Sequence, residues 1–122
     1  MPASDVHRDQ ALRNRTFAYQ PFALGEDGSD PTALQWAVTA AFYCALHCVE
    51  LHLSDRRVHS LSHWDGEQYL DSLPDPIYTA YKQLKSFSES CRYYATIYET
   101  EFVRRTVLER YLERIVRWAG LP

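Results

Sequence analysis

The run from Pro31 to Leu53, PTALQWAVTAAFYCALHCVELHL, constrains the fold more than any other part of the chain. It holds no glycine and no proline after its first residue, so nothing interrupts a helix once started. Ser29 or Asp30 is placed to cap it, and Pro31 sits in the first turn, where a backbone N–H has no intrahelical partner anyway. Polar side chains recur at Gln35, Thr39, Tyr43, His47, Glu50 and Ser54, in steps of four and three, which on a helix makes one narrow stripe. The rest of the cylinder is apolar. A helix apolar over most of its circumference has to be surrounded by other helices. The spacing therefore predicts an all-α, compact bundle of four to five helices with residues 31–53 as its buried centre.

Further amphipathic segments supply the surround. Ser4 is a candidate cap for a helix over residues 5–18, whose thin apolar face (Val6, Ala11, Leu12, Phe17) predicts a surface position. Pro21, Gly25 and Gly28 mark a loop leading to Asp30. Beyond the central run, SDRRVHSLSHWDGEQ reads as a polar loop rich in Arg and His, followed by a short helix over residues 66–73 that Pro74 ends. Pro76 opens a helix carrying Ile77, Ala80, Tyr81, Leu84, Phe87 and Cys91 at three- and four-residue steps, ending near Tyr94. The last helix covers residues 99–119, with Val107, Leu108, Tyr111, Leu112, Ile115 and Trp118 on its inner face, and Gly120 and Pro122 stop it. Its outer face holds Glu109, Arg110, Glu113, Arg114 and Arg117; Glu113 and Arg117 are spaced as an i,i+4 pair, worth a few tenths of a kcal/mol. No strand pattern, repeat or low-complexity stretch is visible.

At 122 residues the chain is about one domain, read as a peripheral helix and loop over 1–28 and a core bundle over 29–122. Hydrophobic residues at 46% and charged residues at 24% are close to the globular average and support one real core rather than disorder. A formal net charge of −3 argues against attraction to nucleic acid by bulk charge and leaves only a local basic patch for that purpose. No apolar run approaches the ~18–20 residues that span a bilayer. The start, MPASDVHRDQ, lacks the apolar stretch of a signal peptide, so a cytoplasmic protein without a membrane partner is expected. Cys44, Cys48 and Cys91, an odd set with no CxxC, fit a reducing compartment rather than a disulfide framework or zinc ribbon.

The chemistry-bearing residues fall in a few groups. Arg56, Arg57, His59 and His63 share the loop after the central run, with five residues between Arg57 and His63. A histidine can move a proton at a ribose 2′-hydroxyl or a leaving oxygen near neutral pH, and an arginine can neutralise charge on the phosphate, so His63 with Arg57 or Arg56 is a candidate pair for RNA cleavage without metal. The alternative is a solvated loop whose basic residues complement the C-terminal dipole of the central helix. Tyr43, His47 and Glu50, on the polar stripe, form either the wall of a site or a satisfied polar seam between helices. Cys44, Cys48 and His52 share a helix face, but that face is otherwise apolar and offers no fourth ligand; they read as core, and no metal or cofactor is expected. The arginines at 104, 105, 110, 114 and 117 alternate with glutamates, as on a solvated helix face. Tyr93, Tyr94, Tyr98, Trp36, Trp64 and Trp118 are either base-stacking platforms or packing residues.

Taken together, residues 34–93 resemble small bacterial HEPN-like proteins. The central QWAVTAAFYCALHCVELHL is similar to their W-A-V-x-x-x-F-Y-x-A-L-H-x-V-E pattern. Ser62-His63 matches a Ser-His in the following loop, and Tyr81, Leu84, Ser88, Arg92 and Tyr93 match a Y-x-x-L-x-x-x-S-x-x-x-R-Y run. The resemblance implies a dimeric bundle of four to five helices in RNA metabolism, stress, defence or toxin–antitoxin systems, often a metal-independent endoribonuclease and sometimes paired with a nucleotidyltransferase-like antitoxin. It adds Arg92 to Tyr43, His47 and Glu50 as candidate binding residues. Ribonuclease members carry their Arg/His pair near the start of a late helix. Here the pair comes early, Val58 follows Arg57, and the late helix has no histidine. A non-catalytic interaction module that binds a protein or nucleotide is therefore the alternative expectation.

Overall fold

Pro31–Asp55 winds as one uninterrupted helix, and the other helices are placed against it. Its start is fixed locally: Asp30 Oδ1 accepts the backbone N–H of Thr32 at 3.0 Å and of Ala33 at 3.4 Å, satisfying donors that the helix itself cannot. The computed structural model describes residues 4–55 and 70–122, and among them all regular structure is helical. Four helices make the bundle: α1 (Ser4–Ala18), α2 (Pro31–Asp55), α3 (Asp75–Tyr93) and α4 (residues 100–118). Short 3-10 turns at Gln20–Phe22 and Leu70–Ser72 complete the framework. The turn at Leu70–Ser72 is the described part of the short helix expected over 66–73; the rest of it lies outside the described residues.

α2 is central because α1, α3 and α4 all pack on it. Val38, Ala41, Cys44, Cys48 and Leu53 of α2, Leu84 of α3, and Leu108 and Leu112 of α4 belong to one continuous buried core. By length and composition, Pro31–Ser54 is apolar enough to cross a membrane, with a mean hydropathy of 1.2, contrary to the expectation that no run approaches that length. The reason is that its polar stripe is mostly uncharged, and 67% of that window is buried within the bundle, as in a core helix. α1 lays His7, Ala11 and Ala18 against the bundle and leaves Val6 and Phe17 about half exposed, so two of its four expected apolar face positions point outward.

α4 departs from a plain α-helix. Its middle, Val103–Leu112, is wound with the wider i→i+5 pairing of a π-helix. Val103 and Val107 are followed five residues on by Leu108 and Leu112, and the wider turn keeps all four fully buried. Gly120 ends the helix in the left-handed region, at φ +78, with Leu121 N–H donating to the Val116 carbonyl at 3.1 Å. The loop before α2 is tied to the start of α4 at Gly28, whose carbonyl accepts the Thr100 hydroxyl at 2.7 Å.

Candidate functional site

The polar stripe of α2 lies in a seam that α1 closes at one point and α3 at another. Toward the C-terminal half of α2, His47 Nδ1 lies 3.0 Å from Nδ1 of His7 on α1. One of the two nitrogens must carry a proton and donate it to the other, so the contact holds only while the pair carries no second proton there. His7 is 6% exposed, and its Nε2 has no hydrogen-bond partner among the described residues. Burial pushes the imidazole of His7 below its ordinary value, while the buried carboxylate of Glu50 pulls it up.

About one turn earlier on the stripe, Tyr43 meets Arg92 from the last turn of α3. Arg92 Nη1 donates to the Tyr43 hydroxyl at 3.2 Å, and Nε donates to the Ser88 hydroxyl at 3.0 Å. The guanidinium also lies over the rings of Tyr93 at 5.0 Å and Tyr43 at 5.7 Å. Ser88 is fully buried one turn before Arg92, so a residue of the core anchors the arginine's orientation. No carboxylate contacts Arg92 among the described residues, in contrast to Arg15, Arg104 and Arg105, which all do. Among the described residues its Nη2 makes no hydrogen bond.

Arg92 lines a depression of about 260 Å³ with Cys91, Gln35, Trp36 and Thr39. Trp36 is 57% exposed and stands between this depression and two others. One, of about 420 Å³, is lined by Arg13, Phe17 and Tyr43 among others. The other, of about 340 Å³, includes the acidic Glu26 and Asp30.

The binding residues expected from sequence thus divide. Tyr43 and Arg92 come together; His47 is drawn to His7, with Glu50 acting on that pair. The expected catalytic residues Arg56, Arg57 and His63 lie outside the described residues. Cys44 and Cys48 are buried and hydrogen-bonded to each other, which raises the Cys44 thiol, and His52 lies against the Trp118 ring at 4.5 Å, so the three do not converge on a common point. Among the described residues no group of three His, Cys, Asp or Glu side chains is arranged to hold a metal ion.

Reading along the chain passed over His7, whose only signal was its place on the face shared by Ala11 and Ala18. It also left Trp36 undecided between packing and exposure. A four-helix bundle with a polar seam on its central helix, and an arginine on that seam that meets no acid among the described residues, is the class that fold and site define. No family model matches the chain, and no curated protein or solved structure matches it.

Proposed function

We propose that this chain is a HEPN-like helical module that engages RNA in stress or defence. The observation that carries the reading is Arg92: a guanidinium oriented by Ser88 and Tyr43, stacked on aromatic rings, and without an acidic partner among the described residues. An arginine paired with a carboxylate is spent on the fold. One held by neutral groups keeps its charge and a free N–H edge for a phosphate oxygen. The ordered similarity of residues 34–93 to HEPN-like proteins points the same way.

As an endoribonuclease the chain would use His63 for proton transfer and Arg57 or Arg56 as the phosphate clamp. Cleavage would leave a 2′,3′-cyclic phosphate and persist in chelator, because histidine and arginine supply the chemistry. A symmetric homodimer would bring the two loops together in one composite site. The test is incubation of the protein with structured and single-stranded RNA in chelator, beside His63→Ala and Arg57→Ala. Cleavage lost in both variants, with unchanged circular dichroism, supports catalysis. RNA binding without cleavage leaves the binding module, and neither binding nor cleavage refutes the RNA reading.

The second reading, a module that docks a protein partner such as a nucleotidyltransferase-like antitoxin, is favoured by the exposed apolar side chains of Val6, Phe17 and Trp36. Sedimentation distinguishes a self-associating chain from a mass near the 14.2 kDa monomer.

A further inference from the structure

We infer that the Arg92–Trp36 face takes an unpaired RNA strand, with a phosphate on Arg92 and the adjoining base stacked on the Trp36 indole. This rests on the RNA reading above and names the form of RNA and the residues that hold it.

The argument begins with Trp36. It is 57% exposed on a helix whose other large apolar side chains are buried, so core packing does not explain it. An indole face in solvent stacks with a base only when that base is not already stacked within a duplex. Arg92 and Trp36 line the same depression of about 260 Å³, so a cation and a ring border one surface hollow. That volume lies below the ~300–1,000 Å³ of pockets that bury a whole small ligand, and suits part of a longer chain.

A polar atom of the same depression fits a ribose unit. Gln35 donates its Nε2 to the Thr96 carbonyl at 3.1 Å, which leaves its Oε1 as an acceptor. Thr39 is buried and donates its hydroxyl to the Gln35 carbonyl at 3.1 Å, so Gln35 is the acceptor this hollow offers a ligand. An acceptor of this kind receives a sugar hydroxyl, which distinguishes ribose from deoxyribose.

The strand continues past Trp36 in one direction. The depression of about 420 Å³ beyond it offers a second arginine, Arg13, beside Phe17 and Tyr43, so phosphate and base again find a cation and a ring. The depression of about 340 Å³ holds Glu26 and Asp30, whose charges repel phosphate. Two phosphates are therefore neutralised, by Arg92 and Arg13. Recognition by stacking tolerates any base, because every base has a π-face.

The experiment is fluorescence anisotropy of labelled oligo(rA) and oligo(rU) of about twelve nucleotides, with a blunt RNA duplex and oligo(dA) as competitors. Wild-type protein is expected to bind both single strands, to prefer RNA over DNA, and to bind the duplex at least about tenfold more weakly. Trp36→Ala is expected to weaken single-strand binding about tenfold or more, and Trp36→Phe, which keeps a ring, to restore most of it. Arg92→Lys keeps charge and loses the planar fork, and is expected to fall between wild type and Arg92→Ala. The logarithmic salt slope is expected near −1.4 for two phosphates on a single strand. Single-strand binding that Trp36→Ala leaves unchanged overturns the inference and leaves the RNA reading standing. Preference for duplex overturns it as well. Absence of binding to any RNA overturns both. A Trp36→Ala variant whose sedimentation mass changes while RNA affinity does not would assign the face to protein contact instead.

Discussion

Removing the carboxylate of Glu113 is expected to destabilise the fold far more than loss of a surface helix pair. Glu113 Oε1 accepts Arg15 Nη2 at 2.6 Å, and Oε2 accepts Arg15 Nε at 2.9 Å and the Tyr19 hydroxyl at 3.0 Å. Arg15 also donates to the Pro122 carbonyl at 3.0 Å, so one cluster ties α1 and the following turn to α4 and the chain end. The side chains of Arg15 and Glu113 are 31% and 20% exposed, between the fully solvated and fully buried limits. Exposed pairs contribute about 0–1 kcal/mol, while breaking a buried pair costs about 3–5 kcal/mol. The bidentate geometry and the additional tyrosine place Glu113→Ala near 2 kcal/mol. In a domain of this size that corresponds to a fall in Tm of roughly 6–12 °C. The assay is a double-mutant cycle of Glu113→Ala and Arg15→Ala, read by urea denaturation, with an expected coupling of about 1–2 kcal/mol. Tyr19→Phe should cost about 1 kcal/mol by loss of one hydrogen bond to a charged acceptor. A coupling below about 0.3 kcal/mol would mean that the geometry carries no net stability and that the cluster is only a contact.

Other outcomes follow from single positions. Gly28 has φ +70, and a Cβ there would meet Thr100 Cγ2 at 3.0 Å and Phe22 Cε1 at 3.1 Å; Gly28→Ala should therefore cost about 1–3 kcal/mol in a thermal melt. Gly25→Ala, also at positive φ but with nothing nearby, should cost only about 1 kcal/mol, and equal losses would remove crowding as the cause. Ala95 is held at φ 55, so Ala95→Gly should stabilise by about 0.5 kcal/mol once glycine's entropy is subtracted, measured by chemical denaturation. Because His7 is held below its ordinary value, the unfolded chain takes up its proton first; the contribution is full above about pH 6.5 and is lost as pH falls toward the folded value. Tm should therefore drop between about pH 7 and pH 5, less steeply in His7→Gln, with His47 and Glu50 facing the titrating group; identical slopes would dismiss the assignment.

Much of the fold was legible because the signals are local. A run without breakers, Asp30 before it and Gly120 at the far end are read by neighbouring backbone atoms, and the structure uses each of them as expected. The inner faces of α3 and α4 were likewise written in their spacing: Ile77, Ala80, Tyr81 and Leu84 are buried, as are Val107, Leu108, Leu112 and Ile115. The π winding of Val103–Leu112 was not legible, because an apolar recurrence of four and five residues also suits an α-helix of slightly drifting face.

The candidate site was legible only in part. The stripe singled out Tyr43, His47 and Glu50 as polar groups on an apolar helix, and that alone required them to find partners. Which partners was a tertiary decision: His7 lies 40 positions from His47, and Arg92 lies 49 from Tyr43. Glu113 makes the reason plain. Its local spacing offered Arg117, but its carboxylate goes to Arg15, 98 positions away, while Arg117 donates instead to the Glu113 backbone carbonyl, at 3.3 Å. A partly buried bidentate pair outweighs an exposed i,i+4 contact, and the burial exists only after α1 has docked. The sequence by itself determined where helices begin, end and turn their apolar faces, since those depend on residues within a turn or two. The packing of α1 and α3 on α2 decided which polar groups meet and set Arg92 on the same hollow as Trp36 with no acid against it among the described residues, since desolvation and charge pairing act only between groups that the assembled core brings together.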